Sequence, residues 1–279
     1  MEKIAFIIDA ACDLPQEYIE ENNIYIIPFS INFSNKTYTD GVDITRAEFY
    51  EMMKTEIPST SIASFSYLIN AFKDIHERGI KNIIIMTLSS TLSSFYNYLK
   101  LAAESQDNFN IKIIDSKSAS LGEGFPLMAG INAYKNGANF EEVANIIEAA
   151  IEKTNIFVYF KDLKNLIKGG RVPLVKGYIA TALSIMPIIR LHAANLEILK
   201  NVRSEKQAIK FLKSQFDKLA DKDYYLATLY GNDESYCERI EEVFSDEIAN
   251  AKFYTRANVT PTLGVHVGSE FSGIVFMNL

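Results

Sequence analysis

Hydroxyl side chains crowd one short stretch of the chain, and they are the residues whose types and spacing first suggest chemistry. Five of the six positions from Ser89 to Ser94 carry a hydroxyl group. The apolar run Ile83 to Thr87 predicts a buried strand before them, and helical spacing of apolar residues predicts a helix after them. Ligands of parallel sheets bind at the carboxyl ends of strands, and a helix N-terminus favours an anion. One hydroxyl would serve as a helix cap, so the others indicate a site for a carboxylate or phosphate.

Two further groups of residues could join this site. Ser59, Thr60 and Ser61 form a second hydroxyl cluster, which we expect as a loop at the same edge of the sheet. His266 lies in a stretch of small residues where the backbone can approach a ligand closely. From sequence alone, His266 is either a ligand contact or a histidine satisfied within the fold.

Acidic residues near predicted strand ends offer a different chemistry. Asp9, Asp13, Asp115 and Asp162 occupy such positions. Acids there most often cap helices and turns, and we favour that interpretation. The alternative is a metal-dependent phosphate-ester hydrolase that uses Asp9 and Asp13. The sequence contains no dinucleotide-binding glycine motif, no Walker loop, no nucleophile elbow and no H-E-x-x-H motif.

The elements that must position these residues alternate between strand and helix in the first half of the chain. This alternation predicts a parallel α/β domain over residues 1–155. The second domain, residues 156–279, begins with a predicted strand. There we expect further strands, including Gly264 to Val267, and a buried helix followed by a strand over Gly177 to Ile189.

Composition excludes several classes of protein. The chain has 279 residues, a net charge of −7 and 48% hydrophobic residues, so it can form a full core, and nothing indicates a nucleic-acid partner. Its two cysteines, Cys12 and Cys237, are far apart, which fits a reducing cytoplasm. We expect no signal peptide, no transmembrane segment and no metal. A transient membrane contact stays open.

Several short motifs, taken in order, resemble the DegV family of bacterial fatty-acid-binding proteins, also called FakB. The family patterns are D-S-x-x-D-L-P, S-T-S-Q-P, S-G-T-Y-N, D-S with later glycines, L-x-K-G-G-R-I and H-x-G-P-G. The segments that match them, in the same order, are Asp9–Pro15, Pro58–Ser61, Ser93–Asn97, Asp115–Ser116 with Gly122–Gly124, Leu166–Val172 and Val265–Gly268.

The resemblance implies a two-domain α/β protein, with a parallel sheet in the first domain and a mixed sheet in the second. It implies that a long-chain fatty acid lies in an apolar tunnel mostly within the second domain. This acid would be the only ligand, and no cofactor is expected. By motif, Thr60, Ser93 and His266 would contact the carboxylate, and we add Ser61 and Ser94 as further candidates from the hydroxyl loops.

The resemblance also implies that the protein is not itself a catalyst. It would present the acid to a separate ATP-dependent fatty acid kinase, with Arg171 meeting that kinase. The alternatives are a lipid carrier that serves no kinase, a structural ion pair for Arg171, and the metal-dependent hydrolase.

Two departures from the family patterns fall beside the expected carboxylate. Phe95 would bring a bulky ring into the head-group loop. Glu270 stands after His266 where the family has glycine. A second carboxylate there would repel the ligand or pair with protonated His266, unless it points to solvent.

Overall fold

The computed structural model describes residues 2–104, 106–161, 163–171 and 185–279. Asp162 and the helix predicted after Gly177 lie outside the described residues. A four-stranded parallel sheet, ordered β2-β1-β6-β7, forms the centre of the N-terminal half, which confirms the predicted parallel α/β arrangement. Its strands are β1 (Ile4–Asp9), β2 (Tyr25–Ile27), β6 (Asn82–Thr87) and β7 (Asn110–Asp115).

Three helices of this half, over residues 66–77, 95–103 and 140–151, bury one apolar face each. The N-cap residue Thr45 forms a capping box with Glu48. The helices of the N-terminal half are α1 (Gln16–Glu21), α2 (Arg46–Met52), α3 (Ser66–Glu77), α4 (Phe95–Ala103), α5 (Leu121–Lys135) and α6 (Phe140–Ile151).

A separate three-stranded antiparallel sheet corrects one prediction. Its strands are β3 (Phe29–Asn32), β4 (Thr37–Thr39) and β5 (Ser59–Ile62), in the order β4-β3-β5. The cluster Ser59–Ser61, expected as a loop at the parallel sheet, is therefore strand β5. Its backbone groups pair with β3, with Thr60 opposite Ile31. Strand pairing thus fixes which hydroxyls share a face.

The C-terminal half is built on a mixed sheet of six strands, ordered β10-β9-β8-β13-β11-β12. The β11–β12 pair is parallel and the other neighbouring pairs are antiparallel, as the expected mixed sheet requires. The strands are β8 (Thr154–Phe160), β9 (Met186–His192), β10 (Asn195–Val202), β11 (Tyr224–Tyr230), β12 (Phe253–Asn258) and β13 (Phe271–Asn278).

One C-terminal element differs from its prediction. Residues 261–267, of which Gly264 to Val267 were expected as a strand, form helix α11 (Pro261–Val267). The alternating valines are typical of a strand, but proline at the first helical position favours a helix, and α11 packs on the N-terminal half. The remaining helices are α7 (Lys164–Lys168), α8 (Glu205–Leu219), α9 (Ser235–Val243) and α10 (Ser245–Asn250).

Helix α5 joins the two halves into one continuous core. It is buried along most of its length, and the ring of Phe125 contacts Tyr225 and Phe253 of the mixed sheet. Gly122 allows this close packing, because a Cβ atom there would lie 2.7 Å from Ile156 Cδ1. The domain boundary at residue 155 stays a prediction, since one core includes residues from both sides of it.

Candidate functional site

A largely apolar cavity lies between the mixed sheet and the N-terminal half. The cavity has a volume of about 140 Å³ and opens to solvent. Alternation along β8 explains the apolar wall, because Ile156, Val158 and Phe160 face the cavity while Phe157 and Tyr159 join the core on the opposite face. The other apolar lining residues are Phe29, Leu88, Leu92, Ala119, Leu166, Ile189, Leu191, Leu196, Leu229, Val259, Leu263, Val267 and Phe271.

The polar lining includes the three residues that the family resemblance implied. Thr60 comes from β5, Ser93 from the loop before α4, and His266 from α11. Thr60 Oγ1 lies 3.1 Å from His266 Nε2, within hydrogen-bond distance. Residues 206 positions apart in the sequence therefore form one polar pair on the wall of an apolar cavity.

The hydroxyl loop divides between structural bonds and the cavity. Ser90 donates through its hydroxyl to Asp115, and Ser89 Oγ lies 2.8 Å from Thr91 Oγ1. Ser93 Oγ accepts a hydrogen bond from the Phe95 N–H at 3.2 Å and also lines the cavity. Of this loop's hydroxyls, Ser93 is thus the one that serves both the helix start and the cavity wall.

The two additional candidates, Ser61 and Ser94, lie outside the cavity lining. Ser61 is exposed and accepts a hydrogen bond from the Asn32 amide. Its neighbour Thr60 faces the opposite side of β5, because side chains alternate along a strand. Ser94 is exposed at the start of α4. The structure brings Thr60, Ser93 and His266 together and leaves these two serines apart.

Glycine is required for different structural reasons at the two positions before Arg171. Gly169 has ordinary helical backbone angles, but a Cβ atom there would lie 2.6 Å from His266 Nδ1. Gly170 has φ +66°, the left-handed conformation that commonly ends a helix. Gly170 therefore allows the chain to turn at the end of α7, whereas Gly169 makes room for the imidazole.

Arg171 also lines the cavity, which the sequence motif did not reveal. Its Nη1 donates to the Gly169 carbonyl oxygen at 2.6 Å and its Nε to the Leu92 carbonyl oxygen at 3.4 Å. These bonds fix the guanidinium beside the polar part of the wall. A positive charge next to an apolar cavity would attract the head group of an anionic amphiphile.

Burial and the nearby Arg171 charge lower the pKa of His266 to about 4. The imidazole is therefore neutral at pH 7. Its Nδ1 is buried without a hydrogen-bond partner among the described residues. A neutral histidine paired with a threonine hydroxyl can donate to or accept from a ligand oxygen.

The acids near strand ends hold loops together. Asp9 accepts from the N–H groups of Ala11 and Leu88, and Asp13 accepts from the Ser120 hydroxyl and the Thr260 N–H. Among residues 2–104, 106–161, 163–171 and 185–279, no group of three or more ligating side chains could hold a metal ion. The hydrogen bonds of Asp9 and Asp13 agree with the interpretation that these acids cap turns.

Neither departure from the family patterns enters the cavity. Glu270 is exposed and pairs with Lys161 Nζ at 2.8 Å, so it points to solvent. Phe95 is buried behind the wall, with its ring centroid 5.0 Å from that of the cavity residue Phe29. Among the described residues, the lining therefore includes no carboxylate side chain and does not include Phe95. No helix of the described residues is long and apolar enough to cross a membrane.

Sequence reasoning missed two other polar lining residues, Ser120 and Thr262. Their hydroxyls donate to the buried carboxylates Asp13 and Asp40 rather than into the cavity. The proline at position 261, after a threonine, was the available signal for the helix that carries Thr262. No local signal could have paired Thr262 with a residue 222 positions away.

Comparisons with known proteins agree with this architecture. The profile of the DegV family, described as a family of uncharacterised proteins, matches residues 3–279. DegV domain-containing proteins of Clostridium acetobutylicum and Staphylococcus aureus are each 31% identical to this chain, over 277 and 281 residues, covering 99% of both chains.

Solved structures share the whole fold. A stearic acid-binding protein from Eubacterium ventriosum is 25% identical, with a TM-score of 0.88, covering 100% of this chain and 98% of its own. A fatty acid-binding DegV family protein from Thermus thermophilus is 22% identical, with a TM-score of 0.91, covering 99% and 100%. With the family profile and the 31% identical relatives, these matches establish that the chain belongs to the DegV family.

Proposed function

We propose that this protein binds one long-chain fatty acid, with the acyl chain in the apolar cavity and the carboxylate at Thr60, Ser93 and His266. The observation that carries the proposal is the combination of an apolar wall with a polar group made by Thr60, Ser93, His266 and Arg171. The fatty acids bound by the Eubacterium and Thermus relatives support the same ligand class.

The energetics divide the work between the two ends of the ligand. Burying an acyl chain is favourable by about 0.8 kcal/mol per CH₂ group, so ~16 carbons contribute roughly 10 kcal/mol before ordering costs. A carboxylate buried without donors would cost several kcal/mol. Hydroxyl donors, the imidazole and the Arg171 charge offset that cost. The acyl chain therefore supplies most of the affinity, and the polar group sets the orientation.

The head-group assignment is tested by removing two hydroxyls together. We expect Thr60→Ala combined with Ser93→Ala to weaken palmitic acid binding by ~10- to 100-fold, because two charge-assisted hydrogen bonds are lost. Hexadecane binding, measured by competition in the same assay, should change little. The matched control is Ser61→Ala combined with Ser94→Ala, which removes two hydroxyls outside the cavity. Equal losses for the acid and the alkane would reject the assignment.

We further propose that the bound acid is presented to a separate ATP-dependent kinase, which would form an acyl phosphate. Support comes from the family motif and from Arg171, whose guanidinium lies on the cavity wall and can interact with an anionic head group as well as with a partner. A carrier that serves no kinase remains the alternative function.

Arg171→Ala separates these alternatives. With a cognate kinase, we expect phosphorylation of the bound acid to fall by at least 10-fold, with Arg171→Lys intermediate because it keeps the charge but not the planar guanidinium. Fatty acid affinity is measured in parallel, so that weaker loading is not mistaken for lost coupling. Absence of phosphorylation with wild type and variant alike would favour the plain carrier.

A further inference from the structure

The helix that carries His266 is anchored by two buried carboxylates from the opposite half of the chain. The Thr260 N–H donates to Asp13 at 2.8 Å, and the Thr262 N–H donates to Asp40 at 2.8 Å. The Thr262 hydroxyl donates to the same oxygen of Asp40. Asp13 and Asp40 are 3% and 5% exposed, so these bonds are shielded from water.

These carboxylates satisfy groups that the helix cannot satisfy itself. The first N–H groups of any α-helix have no intrahelical partner, and negative charge is favourable near them. Helix α11 has only seven residues, and so short a helix is not stable without tertiary contacts. The N-cap residue Thr260 makes no side-chain capping bond. Asp13 and Asp40 therefore act as the cap, supplied from residues far away in the sequence.

The position of α11 decides where the imidazole lies. His266 is one helical turn after Thr262, on the same face of the helix. Thr262, Leu263, His266 and Val267 all line the cavity. The far end of the helix is held separately, because Asn165 Nδ2 donates to the Val265 carbonyl oxygen at 3.1 Å. A change at the first turn would thus rotate or tilt the segment that presents His266.

One positively charged residue acts on both Asp40 and Asp13. The positive charge acting on both carboxylates is Arg46, whose Nη1 donates to the Asn258 carbonyl oxygen at 2.6 Å. Burial raises the pKa of Asp40 to about 6, although the Thr262 hydrogen bonds and Arg46 act in the opposite direction. Burial of the Asp40 carboxylate is therefore unfavourable, and the Thr262 hydrogen bonds and Arg46 offset only part of that cost.

We propose that Asp40, together with Asp13, is a positioning residue for head-group recognition: it fixes the first turn of α11 and so holds His266 against Thr60. This inference rests on the proposed function for its ligand. It assigns a role in carboxylate selectivity to residues that do not line the fatty-acid cavity.

The test compares affinity for palmitic acid with affinity for 1-hexadecanol, which shares the acyl chain and lacks the carboxylate. In Asp40→Ala the ratio of the two affinities should fall by ~10-fold in favour of the alcohol, because the imidazole is displaced. Asp40→Asn keeps one acceptor oxygen for Thr262, so the fall should be smaller, and this variant serves if the alanine variant does not fold.

Glu123→Gln is the matched control. Glu123 is another fully buried carboxylate, 0% exposed, whose oxygens have no hydrogen-bond partner among the described residues. Its isosteric replacement removes a buried carboxyl group that makes no hydrogen bond to α11, so the acid-to-alcohol ratio should stay at the wild-type value. A fall in this ratio equal to that of Asp40→Asn would overturn the proposal.

A second readout does not depend on the ligand. The NMR resonances of the His266 imidazole in the ligand-free protein should shift in Asp40→Asn and stay unchanged in Glu123→Gln. Unchanged resonances and an unchanged affinity ratio in both Asp40 variants would reduce Asp40 to a stability role and reject the proposal. If wild type binds neither ligand, the proposed function fails, and the imidazole resonances still decide the positioning role.

Discussion

The two faces of the six-stranded sheet are built from the same strands and have opposite properties. On one face, alternate residues pack against α8, α9 and α10, and the ring of Phe276 contacts those of Phe157 and Phe216. On the other face, residues such as Ile156 and Ile189 border the cavity. Aromatic rings interdigitate fully on the first face, and mostly aliphatic side chains leave space unfilled on the second.

This difference shows how one sheet can supply both stability and a ligand site. Protein interiors are normally packed to the density of organic crystals. A large apolar space that is left unfilled costs stability unless a ligand fills it. On the filled face, aromatic centroids lie 5.0 to 6.1 Å apart, and these rings make close contacts. We therefore expect mutations on the two faces to affect different measurements.

The largest expected effect is on the filled face. Phe276→Ala removes a ring at 0% exposure that stacks on Phe157, and should lower the free energy of unfolding by about 3–5 kcal/mol. Ile189→Ala on the cavity face should cost about 2 kcal/mol, since the lost apolar burial adds to space that already exists. Urea unfolding of both variants without lipid measures the difference. Equal losses of stability in the two variants would contradict the proposed difference in packing between the two faces.

The next largest effect depends on pH, because His266 lies on the cavity side of the sheet. Its pKa of about 4 in the folded protein lies below the ordinary value of 6.5. The unfolded state therefore binds more protons between these values, and stability is lost as pH falls from 6.5 to 4. The loss should approach about 3 kcal/mol for a shift of this size.

The contribution of His266 is isolated by unfolding wild type and His266→Asn over the same pH series. The difference between their unfolding free energies should narrow as pH falls through this window. A difference independent of pH would show that the imidazole is not held neutral. Adding palmitic acid should raise the His266 pKa, because a nearby carboxylate favours the imidazolium.

The smallest effects distinguish two adjacent glycines at the polar part of the cavity. Gly169→Ala should weaken fatty acid binding by a few-fold, because its Cβ atom would push on His266 Nδ1. Gly170→Ala should instead lower stability by about 1 kcal/mol through its left-handed backbone, since no atom of the described residues lies within 4 Å of the new Cβ. Thermal unfolding and binding titrations on both variants test whether Gly169→Ala mainly affects binding and Gly170→Ala mainly affects stability.

The sequence predicted those features that depend on local patterns. Apolar runs identified strands such as β6, and the alternation of strand and helix identified the parallel sheet of the N-terminal half. The α11 segment was predicted wrongly, because alternating valines favour a strand when tertiary contacts are unknown. The N-terminal cap of this helix comes from Asp13 and Asp40, which no local pattern connects to it.

Within the candidate site, the family motifs located Thr60, Ser93, His266 and Arg171, and the structure brings all four to one cavity. Their roles in binding stay predictions. Ser61 could not be separated from Thr60 by sequence, because the face of β5 depends on pairing with β3. The shape of the cavity depends on residues from many strands, so it could not be predicted from the sequence.

The most direct test of fatty acid binding is organic extraction of natively purified protein followed by mass spectrometry. We predict a fatty acid at about one molecule per chain that survives dialysis, since burying ~16 carbons contributes roughly 10 kcal/mol before ordering costs. Absence of any lipid, together with no rise in melting temperature when palmitic or oleic acid is added, would contradict fatty acid binding by this cavity.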